Sequence, residues 1–467
     1  MTDPAFDYLP AAELAEHIRR GELTAVDAVE AALHRIDAFD AGLRAFSVVR
    51  REAALREAEA ADAEGPSPDR PLHGIPVAIK EEVAVTGLPT TYGGRANPAP
   101  AAADAEVVRR LRAAGAIVIG KTNMPEFGQF PFTEGDWGMT ANPWDRRRSP
   151  GGSSGGSAVA VASGMVPVAI GGDGGGSIRI PAAACGLFGL KAQRGRVSTS
   201  PSPDLWGILG TTGPLTRTVL DSALVHDVIH GATPLDRFRA APPTGSYVAA
   251  ATTDPARLRI RWTTRPLVPG QHPSPEVAAA VEATAHKLAA LGHDVAPGRV
   301  RVPSNPWAFP VLFYASVRAE RAYVSRPELL ERRTQQTMAI GRYVATPSRV
   351  AAAERAAADL EAAVVAQFDD CDLFLMPTMT TVAPPIGRLT GRSSMAAQLA
   401  SVPMISYTSL WNLTGNPAAS VPAGFDDATG LPLAIQLVAA PGREDTIFAA
   451  AGQLERAHPW ADTHPAL

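Results

Sequence analysis

The chain has 467 residues, 46% hydrophobic and 19% charged, a composition typical of a globular protein that excludes intrinsic disorder and fibrous repeats. Its 43 Lys and Arg residues against 47 Asp and Glu residues give a net charge of -4, which lacks the basic excess needed to bind nucleic acid. The two cysteines, Cys185 and Cys371, form no metal-binding or redox motif. We expect a cytoplasmic protein, because the first residues, MTDPAFDYLP, have neither the basic nor the apolar region of a secretory signal.

The first half of the sequence alternates helical and strand patterns. Residues 24–40 place apolar side chains on one helical face, with Thr24 and Asp27 as a capping pair. Short apolar runs then predict strands and amphipathic runs predict helices. The further predicted elements are helix 50–63, strand 75–79, helix 104–114, strand 117–120, strand 166–170 and helix 217–229.

The second half continues the same alternation after Pro/Thr/Gly-rich segments at 232–256 and 264–275, which predict loops. Its predicted elements are strand 258–262, helix 275–291, strands 372–377, 418–424 and 433–439, and helix 443–456. Buried strands that alternate with amphipathic helices predict an α/β fold, with a mixed, largely parallel central sheet covered by helices on both faces. No Gly/Ser-rich or charged linker divides the chain, which predicts a single domain over residues 1–467.

A long uncharged stretch at 149–172 has roughly the length of a membrane helix, but Gly, Ser and Pro fill much of it. We therefore expect buried backbone and no membrane partner.

Glycine is concentrated at both ends of the wider segment 150–186. Because glycine lets backbone N–H groups converge, this pattern predicts two backbone nests that face one cavity.

Two familiar uses of such glycine-rich turns fit this sequence poorly. Phosphate binding needs a following Gly-Lys-Ser/Thr or a G-x-G-x-x-G pattern, and neither is present. The letters GGSSG match G-x-S-x-G, which would make Ser153 the nucleophile of an α/β-hydrolase with His226, His230 or His458 as its partner. The strand that should directly precede this nucleophile is absent.

Lysine is rare in this chain, which has four lysines and 39 arginines. Lys80 ends the apolar run GIPVAIK, where loss of solvent would lower its pKa and make it a usable base. Arginine could not serve in this way, because it stays protonated. The alternative interpretation is that the Lys80 side chain extends from the strand end to the surface.

Several motifs, in order and at compatible distances over most of the chain, resemble the amidase signature family of serine hydrolases. They are GIPVAIK at 74–80, GKTNMPEF at 120–127, GGSSGGSA at 151–158, GGDGGGSIRIPAAACGLFGLK at 171–191, GPLTRT at 213–218, DLFLMPT at 372–378, NLTGNPAASVPAGF at 412–425 and LPLAIQLV at 431–438. The resemblance implies the amidase signature fold and hydrolysis of carboxylic amide C–N bonds.

The resemblance also implies a Ser-cisSer-Lys triad that needs no metal or cofactor. Ser177 in GGGSIR matches the nucleophile, Ser153 in GGSSGG matches the bridging serine beside a cis peptide, and Lys80 matches the base. The nucleophile would attack the acyl carbon to form an acyl-enzyme. The implied oxyanion and substrate-binding positions are the backbone N–H groups of Gly174, Gly175, Gly176 and Ser177, together with Gly128.

Other residues near these motifs have mainly structural interpretations. Ser154 is expected to form hydrogen bonds within the nest, and Cys185 is expected to be a packed thiol. Asp173 and Arg179 flank the nucleophile and are expected to form a buried pair that holds the loop.

One departure from the family pattern follows the proposed base. Glu81 and Glu82 stand where the family more often has Asp and a neutral residue. Acids this close would raise the pKa of Lys80. If they point inward, the pH optimum is expected to move to more alkaline values.

The substrate is predicted from segments outside the motifs. Aromatic-rich stretches at 128–137, 305–317 and 406–412 favour a small apolar aryl, alkyl or cyclic amide, with a carbamate (a urethanase activity) also compatible. The alternative for these aromatic residues is that they fill the core. The alternatives for function are a glutamyl-tRNA amidotransferase A-type subunit, which would need partner subunits and a polar pocket, and a non-catalytic binding protein.

The resemblance also divides the predicted single domain into segments. These are N-terminal helices at about 1–65, a catalytic core at about 66–230, a variable pocket region at about 231–365 and the C-terminal part of the core at about 366–467. Dimerisation is common among members of the family, so the resemblance is compatible with a homodimer.

Overall fold

The computed structural model describes residues 8–202, 204–302 and 307–467. Its helices are α1 (Ala11–Arg19), α2 (Ala25–Leu43), α3 (Arg51–Glu64), α4 (Glu106–Ala113), α5 (Gly155–Ala162), α6 (Arg179–Cys185), α7 (Val219–Ile229), α8 (Tyr247–Thr252), α9 (Pro275–Ala290), α10 (Ala308–Ala319), α11 (Arg332–Val344), α12 (Pro347–Val365), α13 (Ser394–Ile405), α14 (Ser409–Leu413) and α15 (Glu444–Ala457). Short 3-10 helices lie at Glu126–Gly128, Glu320–Tyr323, Pro327–Leu329 and Ala366–Asp369.

The strands are β1 (Phe46–Val49), β2 (Pro76–Lys80), β3 (Ile117–Thr122), β4 (Glu134–Gly135), β5 (Gly138–Met139), β6 (Val168–Asp173), β7 (Phe188–Lys191), β8 (Thr211–Thr216), β9 (Arg259–Trp262), β10 (Asp294–Pro297), β11 (Leu373–Pro377), β12 (Ala418–Phe425) and β13 (Pro432–Val438). Within the described residues, eleven of these form one sheet in the order β1-β3-β2-β6-β8-β7-β12-β13-β11-β9-β10. The strands β4 and β5 form a separate two-stranded ladder.

The main sheet is mixed. Strand β2 pairs in parallel with β3 and β6, and β9 pairs in parallel with β10 and β11. The strands between these two groups, and the edge strand β1, pair antiparallel to their neighbours. Parallel pairs therefore lie on both sides of an antiparallel centre. Since strands from residues 46 to 438 share this sheet, the predicted core and C-terminal segments are built around the same framework.

Both faces of the sheet are covered by helices, as the alternation of side chains along the strands requires. Ala78 of β2 packs with α2, α3 and α5, whereas its neighbours Val77 and Ile79 pack with α1, α4 and α7. In the C-terminal half, Leu375 packs with α9 and α15, and Met376 packs with α10 and α12 on the opposite face. The predicted mixed α/β architecture is confirmed.

The predicted elements agree with the structure except in the loops. Thr24 caps α2 and forms a reciprocal capping box with Asp27, as the sequence indicates. The predicted loop at 232–256 contains the short helix α8, whose start is capped by the Ser246 side chain. The uncharged stretch at 149–172 contains the fully buried helix α5. No helix among the described residues combines the length and the apolar character needed to cross a bilayer.

The sheet brings Lys80 and the second predicted nest together. Strands β2 and β6 are parallel neighbours, with Ile79 opposite Ile170, so they end at the same edge of the sheet. Lys80 is the last residue of β2, and the glycine-rich loop before α6 follows β6 directly. Segments that follow parallel strands at one edge form the usual place for a ligand site in an α/β fold.

Candidate active site

Lys80 is buried, with 1% of its surface exposed, and it points into the protein beyond the end of β2. Its Nζ atom forms hydrogen bonds with Ser153 Oγ at 2.8 Å and with the Gly172 carbonyl oxygen at 3.4 Å. It also lies 3.0 Å from Glu82 Oε1. The side chain does not extend to the surface, so the structure rejects that alternative for Lys80.

Ser153 lies just before α5, and the peptide bond between Gly152 and Ser153 is cis. Ser177 follows the glycine loop after β6 and lines the same cavity as Lys80 and Ser153. The two segments are joined by the Ser154 N–H, which donates to the Ser177 carbonyl oxygen at 3.3 Å. The Ser154 hydroxyl also donates to the Gly172 carbonyl oxygen at 3.2 Å. Two glycine-rich segments that face one cavity are therefore confirmed, as is the role of Ser154 within them.

The glycine loop presents backbone N–H groups beside Ser177. Among the described residues, the N–H groups of Gly174, Gly175 and Ser177 have no hydrogen-bond acceptor. The N–H of Gly176 instead donates to Asp173 Oδ1 at 2.7 Å. The Gly176 donor is thus engaged within the loop, and its assignment to the oxyanion hole stays a prediction.

A buried ionic network fixes the shape of this loop. Asp173 accepts hydrogen bonds from the Ile178 N–H at 3.2 Å and from two nitrogens of Arg179 at 3.0 Å each. Both charged side chains are fully buried. Burial favours a higher pKa for Asp173, but the Arg179 guanidinium outweighs it and holds that pKa below its ordinary value. The expected structural pair is confirmed.

Arg179 extends the network to the C-terminal part of the chain. Its remaining N–H groups donate to the Thr408 carbonyl oxygen at 3.0 Å, to Gln436 Oε1 at 2.7 Å and to Asn412 Oδ1 at 2.7 Å. The Thr408 hydroxyl in turn donates to the Gly175 carbonyl oxygen at 2.6 Å. The loop that carries Ser177 is thus held by residues more than two hundred positions away in the sequence.

Two glycines leave room for the polar side chains of the site. A Cβ atom on Gly128, which has a φ of 61°, would lie 3.0 Å from Ser153 Oγ. A Cβ atom on Gly172 would lie 2.1 Å from Glu82 Oε1. The predicted substrate-binding position Gly128 therefore lies directly against Ser153, and any side chain at either position would displace a polar group of the site.

Comparison with known proteins identifies the family. A family model described as Amidase matches residues 27–448. The chain belongs to the amidase family. It is 43% identical over 473 residues to "Putative amidase AmiB2" of Mycobacterium tuberculosis, an alignment that covers 100% of this chain and 99% of the relative. The structure of 6-aminohexanoate cyclic dimer hydrolase matches with a TM-score of 0.91 and 33% identity, covering 98% of both chains.

A second type of relative is the A-type subunit of the glutamyl-tRNA(Gln) amidotransferase from Chloroflexus aggregans. It is 36% identical to this chain over 494 residues, with 98% of each chain covered. This identity is lower than the 43% shared with the mycobacterial relative. The chain is thus an amidase, a hydrolase that acts on small-molecule amide C–N bonds, built on the amidase signature fold.

The two acids that follow Lys80 in this amidase have different surroundings. Glu81 accepts a hydrogen bond from the Gly93 N–H at 2.8 Å and lies 3.4 Å from Lys121 Nζ, so it holds a neighbouring loop. Only Glu82 contacts Lys80. Side chains alternate along a strand, so Lys80 and Glu82 fall on the same side when the alternation continues two residues past β2. That signal in the sequence could have separated the two acids.

Glu320 is a further buried acid that the sequence analysis missed. It begins the 3-10 helix Glu320–Tyr323, only 1% of its surface is exposed, and its Oε1 atom has no hydrogen-bond partner among the described residues. Burial, reinforced by the negative charge of Glu82 and partly offset by Lys80, raises the pKa of Glu320 well above its ordinary value. It lies outside every motif, so no local pattern points to it.

Trp206, the aromatic residue among the described residues that line the amidase cavity, is one that sequence reasoning did not select. Trp206 lines the cavity, and its ring would lie 2.6 Å from a Cβ atom on Gly174. From the predicted aromatic segments, the Phe309 ring lies beside Gly175, at 3.0 Å from a Cβ atom placed there. Other aromatic residues of those segments are core residues instead, namely Phe130, Phe132, Tyr407 and Trp411. Residues 305 and 306 of the second segment lie outside the described residues.

The α/β-hydrolase alternative requires a histidine beside the nucleophile, and none is among the described residues that line the cavity. His226 is buried, with its Nδ1 atom 2.8 Å from the Ser222 carbonyl oxygen and its ring against Phe448. Burial lowers the pKa of His226 to about 4. His230 and His458 are also absent from the described residues that line the cavity.

The remaining candidate for chemistry near the site is Cys185. Burial raises its pKa, and its Sγ atom lies 3.6 Å from the Pro150 carbonyl oxygen. It is a packed thiol, as expected. Among residues 8–202, 204–302 and 307–467, no group of three His, Cys, Asp or Glu side chains is placed to hold a metal ion.

Proposed function

We propose that this amidase works through an acyl-enzyme on Ser177, with Ser153 as the bridging group and Lys80 as the base. The Ser153 proton passes to neutral Lys80 Nζ while Ser153 Oγ takes the proton of Ser177. The Ser177 oxygen bonds to the acyl carbon, and the carbonyl π electrons move to its oxygen. When that intermediate collapses, the C–N bond breaks and the protons return through Ser153 to the leaving amine. Water then repeats the sequence on the ester and releases the carboxylic acid.

The observation that carries this proposal is the buried contact of 2.8 Å between Lys80 Nζ and Ser153 Oγ in the cavity that Ser177 lines. This distance lies within the hydrogen-bond reach that a general base requires. The unpaired N–H groups of Gly174, Gly175 and Ser177 supply donors for the oxygen of the intermediate. Loss of one such donor typically slows an enzyme by about 100-fold or more.

We further propose an apolar aryl, alkyl or cyclic amide as the substrate. Leu205 and Trp206 line the cavity, and the Phe309 ring borders the glycine loop at Gly175. The structural relative named above hydrolyses a cyclic dimer of 6-aminohexanoate, as its name states. Three threonines line the same cavity, namely Thr199, Thr211 and Thr212. The amidotransferase alternative, which needs a polar pocket for the carboxylate and ammonium groups of glutamine, is therefore decided by the experiment. The apolar walls also fit a carbamate, which is compared directly in the experiment.

The experiment measures amine or ammonia release from anilides, cyclic amides, carbamates and glutamine. Wild type, Ser177→Ala and Ser163→Ala are compared. Ser163 is a buried serine whose hydroxyl donates to the Val159 carbonyl oxygen and which does not line the cavity. We expect turnover of anilides or cyclic amides by wild type and Ser163→Ala, and none by Ser177→Ala.

A fluorophosphonate provides a second measurement that is independent of the substrate. Mass spectrometry should find the adduct on Ser177 in wild type and in Ser163→Ala. An adduct on Ser153, or activity that survives Ser177→Ala, would overturn the proposed mechanism. Turnover of glutamine alone would overturn the proposed substrate class and leave the mechanism in place.

A further inference from the structure

We propose that Glu82 is a positioning residue that aims the lone pair of Lys80 at Ser153 and stabilises Lys80 once it carries the proton. This inference rests on the proposed role of Lys80 as the base. In a serine hydrolase with a histidine base, a carboxylate orients that base and stabilises its protonated form. Glu82 would perform both tasks for a lysine.

The orientation follows from the hydrogen-bonding capacity of a neutral amine. Neutral Lys80 has two N–H groups and one lone pair, and three groups surround its Nζ atom. The Gly172 carbonyl at 3.4 Å and the Glu82 carboxylate at 3.0 Å can only accept hydrogen bonds. The Gly172 carbonyl accepts one N–H in a hydrogen bond, and we assign the second N–H to Glu82 Oε1, which lies in ion-pair contact with Nζ. The lone pair is left for Ser153, the one neighbour that has a proton to donate, at 2.8 Å.

The electrostatic effect follows from burial. The side chains of Lys80 and Glu82 are only 1% and 5% exposed, so solvent screens their attraction weakly. When Lys80 takes the proton from Ser153, the carboxylate faces a full positive charge at the same distance. Glu82 thereby stabilises the state in which the proton has left the serines.

Two other ionisable side chains lie near the Lys80–Glu82 pair. Glu320 faces the pair from the segment after α10, and burial, the largest cause, raises its pKa well above its ordinary value. On the other side, Lys121 is occupied by Glu81 and by the Pro89 carbonyl oxygen at 2.8 Å. Glu82 is therefore the one carboxylate, among the described residues, that forms an ion pair with Lys80.

The backbone around Glu82 also fits its carboxylate closely. A Cβ atom would lie 2.1 Å from Oε1 if placed on Gly172, and 3.4 Å from Oε2 if placed on Gly128. Two glycines from different segments thus leave the space that the carboxylate occupies. This close fit holds Glu82 Oε1 in contact with Lys80 Nζ.

The test is the pH dependence of kcat/KM in Glu82→Gln, which keeps an acceptor oxygen but removes the charge. Loss of the adjacent negative charge should move the acid limb to lower pH. We also expect kcat to fall at least about tenfold with KM nearly unchanged. Glu82→Leu, which loses the acceptor as well, should lower kcat by about 100-fold or more.

Glu455→Gln is the matched control. Glu455 is a partly buried residue on α15 whose carboxyl group accepts a hydrogen bond from the Val219 N–H, and it does not line the cavity. Its variant should keep the wild-type pH profile and kcat. Glu320→Gln should also keep the acid limb, because Glu320 forms no ion pair with Lys80 among the described residues.

Wild-type kcat and an unmoved acid limb in Glu82→Gln would overturn the inference, as would a shift to higher pH. If that variant does not fold, Glu82→Asp decides the matter. It keeps the charge at a greater distance, so the acid limb should stay while kcat falls, and a wild-type kcat would refute the orienting role.

Lys80→Ala separates the two proposals, since an active Lys80→Ala enzyme refutes the role of Lys80 as the base. An inactive Lys80→Ala enzyme beside an unaffected Glu82→Gln enzyme refutes only the role of Glu82.

Discussion

Replacement of Asp173 by Asn tests whether the buried ionic network presents Ser177 for attack. The substitution keeps the shape of the side chain and removes its charge. Asp173 Oδ2 accepts from the Ile178 N–H and from Arg179 Nε, while Oδ1 accepts from Gly176, Asn412 and a second Arg179 nitrogen. In whichever orientation the asparagine amide is placed, its NH2 group faces N–H donors that a carboxylate oxygen accepted in the wild type. At least two hydrogen bonds are lost, and the Arg179 guanidinium stays buried without its counter-charge.

The size of the effect follows from that unpaired charge. Removal of one partner from a buried ion pair typically costs about 3–5 kcal/mol. That is a large share of a total stability that is usually about 5–15 kcal/mol. Gly176 and Ile178 flank the nucleophile, and one of them loses its acceptor whichever way the amide is placed, so the loop that presents Ser177 should loosen at the same time.

Two measurements on Asp173→Asn check this reasoning. Urea unfolding followed by tryptophan fluorescence should show a clearly lower midpoint, and the fluorophosphonate should label Ser177 at least about tenfold more slowly. Asp445→Asn is the control, because Asp445 forms an exposed pair with Arg443 that contributes little to stability. A wild-type midpoint together with wild-type labelling in Asp173→Asn would refute the role assigned to the network.

Two further predictions concern acid stability and the space at Ser153. Burial lowers the pKa of His226 to about 4 from 6.5, so the unfolded chain binds a proton there before the folded protein does. Stability should therefore fall as the pH drops from about 6.5 to 4, by about 3 kcal/mol. In His226→Gln the loss of Tm over this range should be smaller, and an equal loss would contradict the assignment. Gly128→Ala would place a Cβ 3.0 Å from Ser153 Oγ at a φ of 61°. We expect kcat to fall at least about tenfold, and wild-type kcat would show that Ser153 tolerates this contact.

The sequence predicted the features that depend on neighbouring residues. The capping pair of Thr24 and Asp27, the apolar strand that ends at Lys80 and the two glycine-rich turns are all local signals. Hydrophobic periodicity fixes which face of an element is buried, because it depends only on side chains a few positions apart. The order of the motifs added the family, and with it the residues Ser153 and Ser177 as candidates.

Tertiary structure decided which groups these candidates contact. Alternation along β2 favours Glu82 over Glu81 as the neighbour of Lys80, but only the course of the chain after β2 shows that Glu82 reaches the lysine. The use of the Gly176 N–H within its own loop also depends on the folded backbone.

The most distant contributions to the site were the hardest to predict. Trp206 and Glu320 reach it from segments with no motif, because contacts between residues far apart in sequence leave no periodic trace in a single chain. Sequence by itself therefore determined the elements, the family and the serine and lysine candidates. The fold alone set the charge beside the lysine and the walls around the substrate, since both arise where separate segments pack together.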